Sequence, residues 1–243
     1  MTWVLLRGLI REQRHWGDFP AQLQRAFPAQ RIITLDFPGN GSRHRENSAS
    51  SIAAMVEFVH AELARLQVTG PVQVLAISLG AMVAIGWAQR YPQQVQRLVL
   101  INTSVAPHNR FYQRLRPQNY LALLASSLRS DHQQREQVIF DLTSNSPLRR
   151  SELVARWRAY AEEFPVSRRN SCRQLLAALR YRAPLQAPAV PLLLLAGAGD
   201  RLVNPCCSSR LAALWQAPLR LHARAGHDLP LDDAHWIIEQ LQH

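Results

Sequence analysis

Short apolar runs alternate with amphipathic segments along most of this chain. Runs that are continuous in β-branched residues and leucine predict buried strands, and six such runs occur, at residues 2–6, 31–36, 72–77, 97–102, 191–196 and 219–223. Between these runs, apolar residues at helical spacing predict helices. Strands that alternate with helices favour a parallel sheet that is covered by helices on both faces.

No strand pattern appears between residues 106 and 182. Helical spacing and the breaks at Pro147 and Pro165 predict four helices in this stretch, at about 111–128, 131–142, 148–164 and 168–182. A long helical insertion between two strands is typical of a lid. The sequence therefore predicts a core formed by residues 1–105 and 184–243, with a helical lid at residues 106–183.

A strand and a helix meet at Ser78. The run at 72–77 leads into the motif AISLG at residues 76–80, and an apolar helical segment follows at once. Small residues at positions 76 and 80 allow the two backbones to approach closely in a sharp turn. Such a turn pushes the central side chain outward at the carboxyl end of the sheet, which is how a nucleophile is presented.

This motif resembles the nucleophile elbow of the α/β-hydrolase fold family, G-x-S-x-G, with Ala76 in place of the first glycine. The resemblance covers nearly the whole chain, and Gly39, Gly41 and Ser42 match a turn of the family that we interpret as structural. Two further strands usually precede the first glycine loop of the family, whereas one precedes it here. The resemblance therefore implies a reduced, mostly parallel sheet of about six strands, with residues 31–36 at one edge.

Asp200 and His227 each follow a predicted strand closely, as Ser78 does. The order Ser78, Asp200, His227 is the order of the catalytic triad that the resemblance implies. In that triad Ser78 is the nucleophile, His227 the general base and then acid, and Asp200 the carboxylate that orients the imidazole. The alternatives are a capping role for Ser78, a turn role for Asp200 and a base other than His227, with His15, His44, His222 and His235 as weaker candidates.

Acyl transfer also needs donors for the oxygen that becomes negatively charged. The resemblance implies that the backbone N–H groups of Leu9 and Leu79 form this oxyanion hole. Family members usually carry His-Gly in the loop that contains the first of these donors, whereas this chain carries Arg7-Gly8. We expect Gly8 to preserve the loop geometry, while the hydrogen bonds of the usual histidine are lost.

The amino-acid composition excludes several kinds of catalytic chemistry. The 243 residues include 28 arginines and no lysine, with a net charge of +11, so Schiff-base chemistry and lysine-dependent phosphate loops are excluded. The three cysteines form no C-x-x-C pair, and we expect no metal and no cofactor. The first residues lack signal-peptide features, and no run reaches the roughly 18–20 apolar residues that span a bilayer. The sequence therefore predicts a cytoplasmic protein without a membrane span.

A serine nucleophile predicts a small-molecule ester or thioester as the substrate. Residues 106–183 carry 14 arginines against 6 acidic residues, a net charge of +8. In size, lid position and lid charge the chain is similar to carboxylesterases that act on acyl chains bound to acyl carrier protein, such as the pimeloyl-acyl-carrier-protein methyl ester esterases. This resemblance implies that an acidic carrier protein docks on the lid. The alternative is a scatter of arginines over a solvated surface, and no motif supports nucleic-acid binding.

Three further expectations remain open. The apolar lid residues either line an acyl pocket or pack the lid onto the core; they include Phe111, Tyr112, Tyr120, Leu121, Leu124, Trp157 and Phe164. Asp228, Asp232 and Asp233 are expected at a helix amino terminus. The fold also hosts lyases of the menaquinone-synthesis type and ligand-binding receptors with vestigial hydrolysis, which are the rival functions.

Overall fold

A six-stranded parallel sheet forms the centre of the computed structural model, which describes residues 1–129, 131–146 and 149–242. The strand order is β2-β1-β3-β4-β5-β6, and every adjacent pair runs parallel. This confirms the predicted sheet, with β2 at one edge. The strands are β1 (Thr2–Leu6), β2 (Arg31–Leu35), β3 (Val72–Ile77), β4 (Val95–Ile101), β5 (Leu192–Gly197) and β6 (Leu219–His222).

Helices cover both faces of the sheet. The described α-helices outside residues 106–183 are α1 (Phe19–Ala26), α2 (Ile52–Arg65), α3 (Leu79–Arg90), α9 (Cys206–Trp215), α10 (Leu229–Asp232) and α11 (Ala234–Leu241). Alternate residues of each strand point to opposite sides. Val4 and Leu6 of β1 therefore belong to the apolar cluster that contains α2 and α3, whereas Trp3 and Leu5 belong to the cluster on the opposite face, with α1 and α11.

Residues 106–183, which we call the helical insertion, connect β4 to β5. Their described α-helices are α4 (Phe111–Arg114), α5 (Tyr120–Leu128), α6 (His132–Thr143), α7 (Arg150–Glu163) and α8 (Arg168–Arg180). The prediction of a single helix at 111–128 was wrong. Arg116 precedes Pro117 and is extended, with ψ of 129°, because the proline ring disfavours helical geometry in the residue before it. Pro147 and Leu148, which were predicted to end and begin helices, lie outside the described residues.

Apolar spacing predicts a single amphipathic helix at 231–241, but the structure divides this segment in two. Asp233 separates α10 from α11, with φ of −154° and ψ of 82°, and its carboxylate accepts a hydrogen bond from Trp236 N at 2.9 Å. An aspartate in extended geometry is a strong N-cap, so the last helix begins anew at Ala234.

The helical insertion packs against the core through a separate apolar cluster. Phe140 of α6 and the α7 residues Leu153, Val154 and Trp157 are buried together with Leu231 of α10. Other apolar side chains of the insertion lie at the surface, including Phe111, Leu121 and Leu124, which are 71%, 80% and 60% exposed. The expectation of packing is therefore met for Trp157, while these three exposed residues line no enclosed pocket. Over the residues that the structure describes, no helix combines the length and apolar content that a bilayer crossing requires.

Candidate active site

Ser78 lies between β3 and α3 in a backbone conformation that side-chain-bearing residues rarely adopt. Its φ is 54° and its ψ is −115°, and its side chain makes no capping hydrogen bond to α3. The turn is possible because residue 80 is glycine: a Cβ there would lie 2.3 Å from Leu6 O and 2.7 Å from Arg7 O. The strained serine at a strand end argues against a capping role and fits a residue that is held for chemistry.

Asp200 and His227, predicted from two separate strand ends, meet in the structure. The His227 Nδ1–H donates to Asp200 Oδ2 at 2.7 Å, and the residues are 5% and 2% exposed. The other carboxylate oxygen of Asp200 accepts from Leu202 N at 2.8 Å and Val203 N at 2.9 Å. Asp200 therefore stabilises the turn that follows it and binds the His227 imidazole at the same time.

Asn102, at the end of β4, ties the loops of this edge together. Its amide donates to Gly226 O at 3.0 Å and His227 O at 2.7 Å, and its oxygen accepts from Gly197 N at 2.9 Å. Directly before it, Ile101 O accepts from Ser78 N at 3.1 Å. Asn102 thus fixes the backbone of the His227 loop beside the strand that holds Ser78. Sequence reasoning missed this residue because it ends a strand without any motif around it.

Ser78 and His227 are not hydrogen-bonded to each other. Within the described part of the chain, the Ser78 hydroxyl makes no hydrogen bond, and the side chain is only partly buried. Hydrogen bonds between catalytic groups are often long in unliganded enzymes and shorten when substrate binds. The structure therefore brings His227 and Asp200 together after β6 and β5, while Ser78 follows β3 and is separated from β5 by β4.

The loop after β1 faces Ser78. A Cβ on Gly8 would lie 3.3 Å from Ser78 Cβ and 3.9 Å from Ser78 Oγ. Among the described residues, neither Leu9 N–H nor Leu79 N–H donates a hydrogen bond to a protein acceptor. Leu79 is the first residue of α3, whose amino terminus favours negative charge. Both N–H groups are therefore free of protein acceptors among the described residues, and their role as oxyanion donors stays a prediction.

Arg7, which stands where the family usually carries histidine, is buried and paired with Asp228. Its guanidinium donates two hydrogen bonds to this carboxylate, at 3.0 and 2.7 Å, and it also lies over the Trp16 ring at 4.8 Å. Asp228 lies at the amino terminus of α10, as expected, but its side chain does not cap the helix, because its carboxylate turns to Arg7. Asp228 follows His227 directly, so the ion pair joins the β1 loop to the histidine loop.

Asp232 lies in the first turn of α10, as expected, and its side chain also makes hydrogen bonds beyond that helix. Its carboxylate accepts from Gly226 N at 2.6 Å, Ser144 Oγ at 2.5 Å and Asn145 N at 3.0 Å. It therefore links the segment before His227 to the end of α6. Of the three aspartates, Asp233 also caps a helix through its side chain, at the start of α11.

The pKa of the His227 imidazole is raised above its ordinary value of 6.5. Burial lowers this pKa, but the Asp200 carboxylate outweighs burial through its charge and its hydrogen bond, and Asp228 adds to the same effect. His15, a weaker candidate for the base, differs: burial and the charges of Arg11 and Arg7 hold its pKa well below the ordinary value. The environment thus strengthens His227 as a base and weakens His15.

We expect the kcat/KM for ester hydrolysis to rise with pH around an inflection above 6.5. Only neutral imidazole can accept a proton, and the pKa of His227 is raised, so activity is lost as pH falls through that raised value. Asp200→Asn is expected to lower both the inflection and the rate. A pH–rate profile of the two proteins checks this, and a wild-type inflection at or below 6.5 would contradict it.

No group of three or more His, Cys, Asp or Glu residues within the described ranges is arranged to hold a metal ion. The three cysteines are free thiols, and burial raises the pKa of Cys207 to about 12. This thiol therefore stays protonated at neutral pH.

Comparisons with known proteins agree with this architecture. A family model described as the alpha/beta hydrolase fold matches residues 4–234. The biotin biosynthesis bifunctional protein BioHC of Teredinibacter turnerae is 29% identical over 102 residues, which are 42% of this chain and 17% of that protein. This chain thus matches less than a fifth of that relative's length.

Two solved structures are similar over almost the whole chain. A putative lipase from Acinetobacter baumannii has a TM-score of 0.78 at 21% identity, covering 99% of this chain and 82% of the lipase. The enol-lactonase from Burkholderia xenovorans has a TM-score of 0.79 at 16% identity, covering 99% of this chain and 89% of the lactonase. At these identities the likeness is one of fold.

Proposed function

We propose that this chain, which belongs to the α/β-hydrolase fold family, is a serine hydrolase that cleaves carboxylic ester or thioester bonds. The observation that carries the proposal is the buried hydrogen bond between His227 and Asp200 at the same sheet edge as the strained Ser78. Supporting comparisons include a putative lipase and an enol-lactonase among the structures of similar fold.

The proposed reaction proceeds through an acyl-enzyme. Because Nδ1 of His227 is bound to Asp200, Nε2 is the nitrogen that takes the Ser78 proton as the hydroxyl attacks the acyl carbon. The imidazolium then protonates the leaving group, and a water molecule, activated by the same imidazole, hydrolyses the acyl-enzyme. The Asp200 carboxylate, held by the N–H groups of Leu202 and Val203, stabilises the charged imidazole in both steps.

Leu9 N–H and Leu79 N–H are proposed to bind the oxygen that becomes negative. Each such donor contributes about 2.7–4 kcal/mol to the transition state, since it is fixed before charge develops. Arg7 does not replace the hydrogen bonds of the usual histidine in the site, because its guanidinium is used by Asp228. Its part is to hold the two loops.

The helical insertion is proposed to act as a lid over a core of residues 1–105 and 184–243. Its acidic side chains are largely neutralised: Asp141, Glu152 and Glu162 pair with insertion arginines, and Glu136 and Glu163 pair with Arg11 and Arg14 of the core. In the described ranges, several exposed insertion arginines have no carboxylate within salt-bridge distance, among them Arg110, Arg129, Arg168, Arg169, Arg180 and Arg182. This surplus supports docking of an acidic acyl carrier protein, with the acyl ester as substrate.

Hydrolysis of a carrier-protein-linked ester is expected to weaken as salt rises, whereas hydrolysis of a small ester of the same acyl chain is not. Salt screens attraction between exposed charges, and the Debye length falls from about 10 Å at 0.1 M to about 3 Å at 1 M. Measuring kcat/KM for both substrates over a salt series checks this. An equal salt response for the two would remove the carrier protein from the proposal.

The proposed activity is tested with p-nitrophenyl esters and thioesters of increasing chain length, with Ser78→Ala as the blank. We expect turnover that depends on Ser78, with free acid and free alcohol or thiol as products. Product analysis separates hydrolysis from the lyase alternative, because hydrolysis adds the elements of water. A lack of turnover across the series, or turnover by the blank, would overturn the proposal.

A further inference from the structure

A glutamine of the helical insertion is hydrogen-bonded into the loops of the core. Gln174, on α8, is fully buried, and its amide oxygen accepts from Ile10 N at 2.9 Å. Its amide nitrogen donates to Asn40 Oδ1 at 2.8 Å and Ser48 Oγ at 2.9 Å. Both hydrogens of this amide are therefore used, and a fixed orientation results.

The backbone that Gln174 holds is strained. Ile10 has φ of 58°, which a β-branched residue adopts at a cost of order 1–3 kcal/mol and only where its surroundings enforce it. Ile10 follows Leu9, whose N–H is the proposed oxyanion donor. The hydrogen bond that Ile10 N–H donates to the Gln174 amide oxygen therefore fixes the peptide next to the Leu9 N–H.

The loop after β2 supports the same strained segment from a second side. Asn40 Nδ2 donates to Arg11 O at 3.1 Å, and Gln13 N donates to Asp36 Oδ1 at 2.7 Å. Gln174 binds the Asn40 side chain as well as Ile10, so it connects the β1 loop and the β2 loop to α8. This network explains why the family-like turn that contains Asn40 lies against the β1 loop.

We propose that Gln174 is a positioning residue that keeps the Leu9 N–H directed at the oxyanion, and that docking of α8 is thereby coupled to assembly of the oxyanion hole. The inference rests on the proposed serine hydrolase function. Gln174 itself touches no reacting atom. When the amide oxygen of Gln174 is removed, Ile10 is free to relax from positive φ. The Leu9 N–H then turns away from the position where negative charge develops.

Gln174→Met keeps the length and burial of the side chain but removes its acceptor and donors. We expect kcat to fall about 10- to 100-fold, because small misplacement of a catalytic group costs rates of this order, while KM changes less than threefold. Gln174→Glu keeps an acceptor for Ile10 N and is expected to retain more of the wild-type kcat than Gln174→Met. Steady-state kinetics on one p-nitrophenyl ester measure these values.

Asn170 provides a matched control one helical turn before Gln174. It is also buried, accepts from Ser48 N at 3.0 Å and donates to Glu46 O at 2.9 Å, but among the described residues it makes no hydrogen bond to the β1 loop. Asn170→Leu is expected to lower the melting temperature about as much as Gln174→Met while leaving kcat within about twofold. A purely structural role for Gln174 would give the two variants the same kinetic effect.

The inference is overturned if Gln174→Met retains the kcat of Asn170→Leu, or if KM rises while kcat is unchanged. Should Gln174→Met fail to fold, Gln174→Asn carries the same test, because its amide is one methylene too short to reach Ile10 N. Wild-type turnover that depends on Ser78 is measured first. If it is present and the Gln174 variants behave like Asn170→Leu, the inference alone fails; if it is missing, the proposed function fails with it.

Discussion

Replacing Ser78 with alanine is expected to lower kcat for ester hydrolysis by about 10⁴- to 10⁶-fold, with the folded structure unchanged. Removal of a triad nucleophile in serine hydrolysis costs rates of this order, and the residual rate comes from binding and the oxyanion donors. The fold should survive because the Ser78 side chain makes no capping hydrogen bond and alanine keeps the Cβ. Steady-state kinetics and circular dichroism of the purified variant measure both effects.

Ser208→Ala is the matched control for this substitution. Ser208 is buried on α9, and its hydroxyl donates to Thr103 O at 3.3 Å; among the described residues it makes no hydrogen bond to Ser78, Asp200 or His227. We expect its kcat to stay within about twofold of the wild-type value. A Ser78→Ala protein as active as the Ser208→Ala protein would remove Ser78 from the mechanism.

Replacing Arg7 with methionine is expected to lower the free energy of unfolding by about 3–5 kcal/mol, because it leaves Asp228 charged, buried and without its partner. The two side chains are 3% and 5% exposed, so water cannot replace the guanidinium. Part of the loss also comes from the contact of Arg7 with Trp16. Urea unfolding midpoints of wild type and variant measure the change.

Asp228→Leu added to Arg7→Met is expected to recover most of that stability. The double variant has an apolar pair of similar volume at the two positions and buries no uncompensated charge. Replacing a buried ion pair as a whole is often neutral or stabilising. If the single substitution costs less than about 1 kcal/mol, or if the double variant is no more stable than the single one, the ion pair does not hold the two loops together.

The sheet was predictable, and so were the positions of Ser78, Asp200 and His227 after strand ends, because both depend on local sequence. A buried parallel strand requires an apolar run, and a sharp strand–helix turn requires small residues such as Gly80, so each feature leaves a signal within a few positions. Errors arose where one residue overrides a periodic pattern. Pro117 divides the helix predicted at 111–128, and Asp233 begins α11 anew.

The contacts that complete the candidate site join residues far apart in sequence, and no spacing rule detects them. Arg7 and Asp228 are separated by 221 positions, and Ile10 and Gln174 by 164. Gln174 occurs in an arginine-rich amphipathic helix where nothing distinguishes it from a solvated residue. Its burial depends on how α8 meets the β1 and β2 loops, which only the folded chain defines.

Labelling with a fluorophosphonate tests the central claim most directly, since the probe reacts only with a serine whose proton is withdrawn by a neighbouring base. The phosphorus of the probe bonds to the serine oxygen and fluoride leaves. We expect one label per chain, located at Ser78 by peptide mass spectrometry, and no labelling of Ser78→Ala or of His227→Ala. Absence of labelling in the wild-type protein, or a label that persists in Ser78→Ala, would contradict the account.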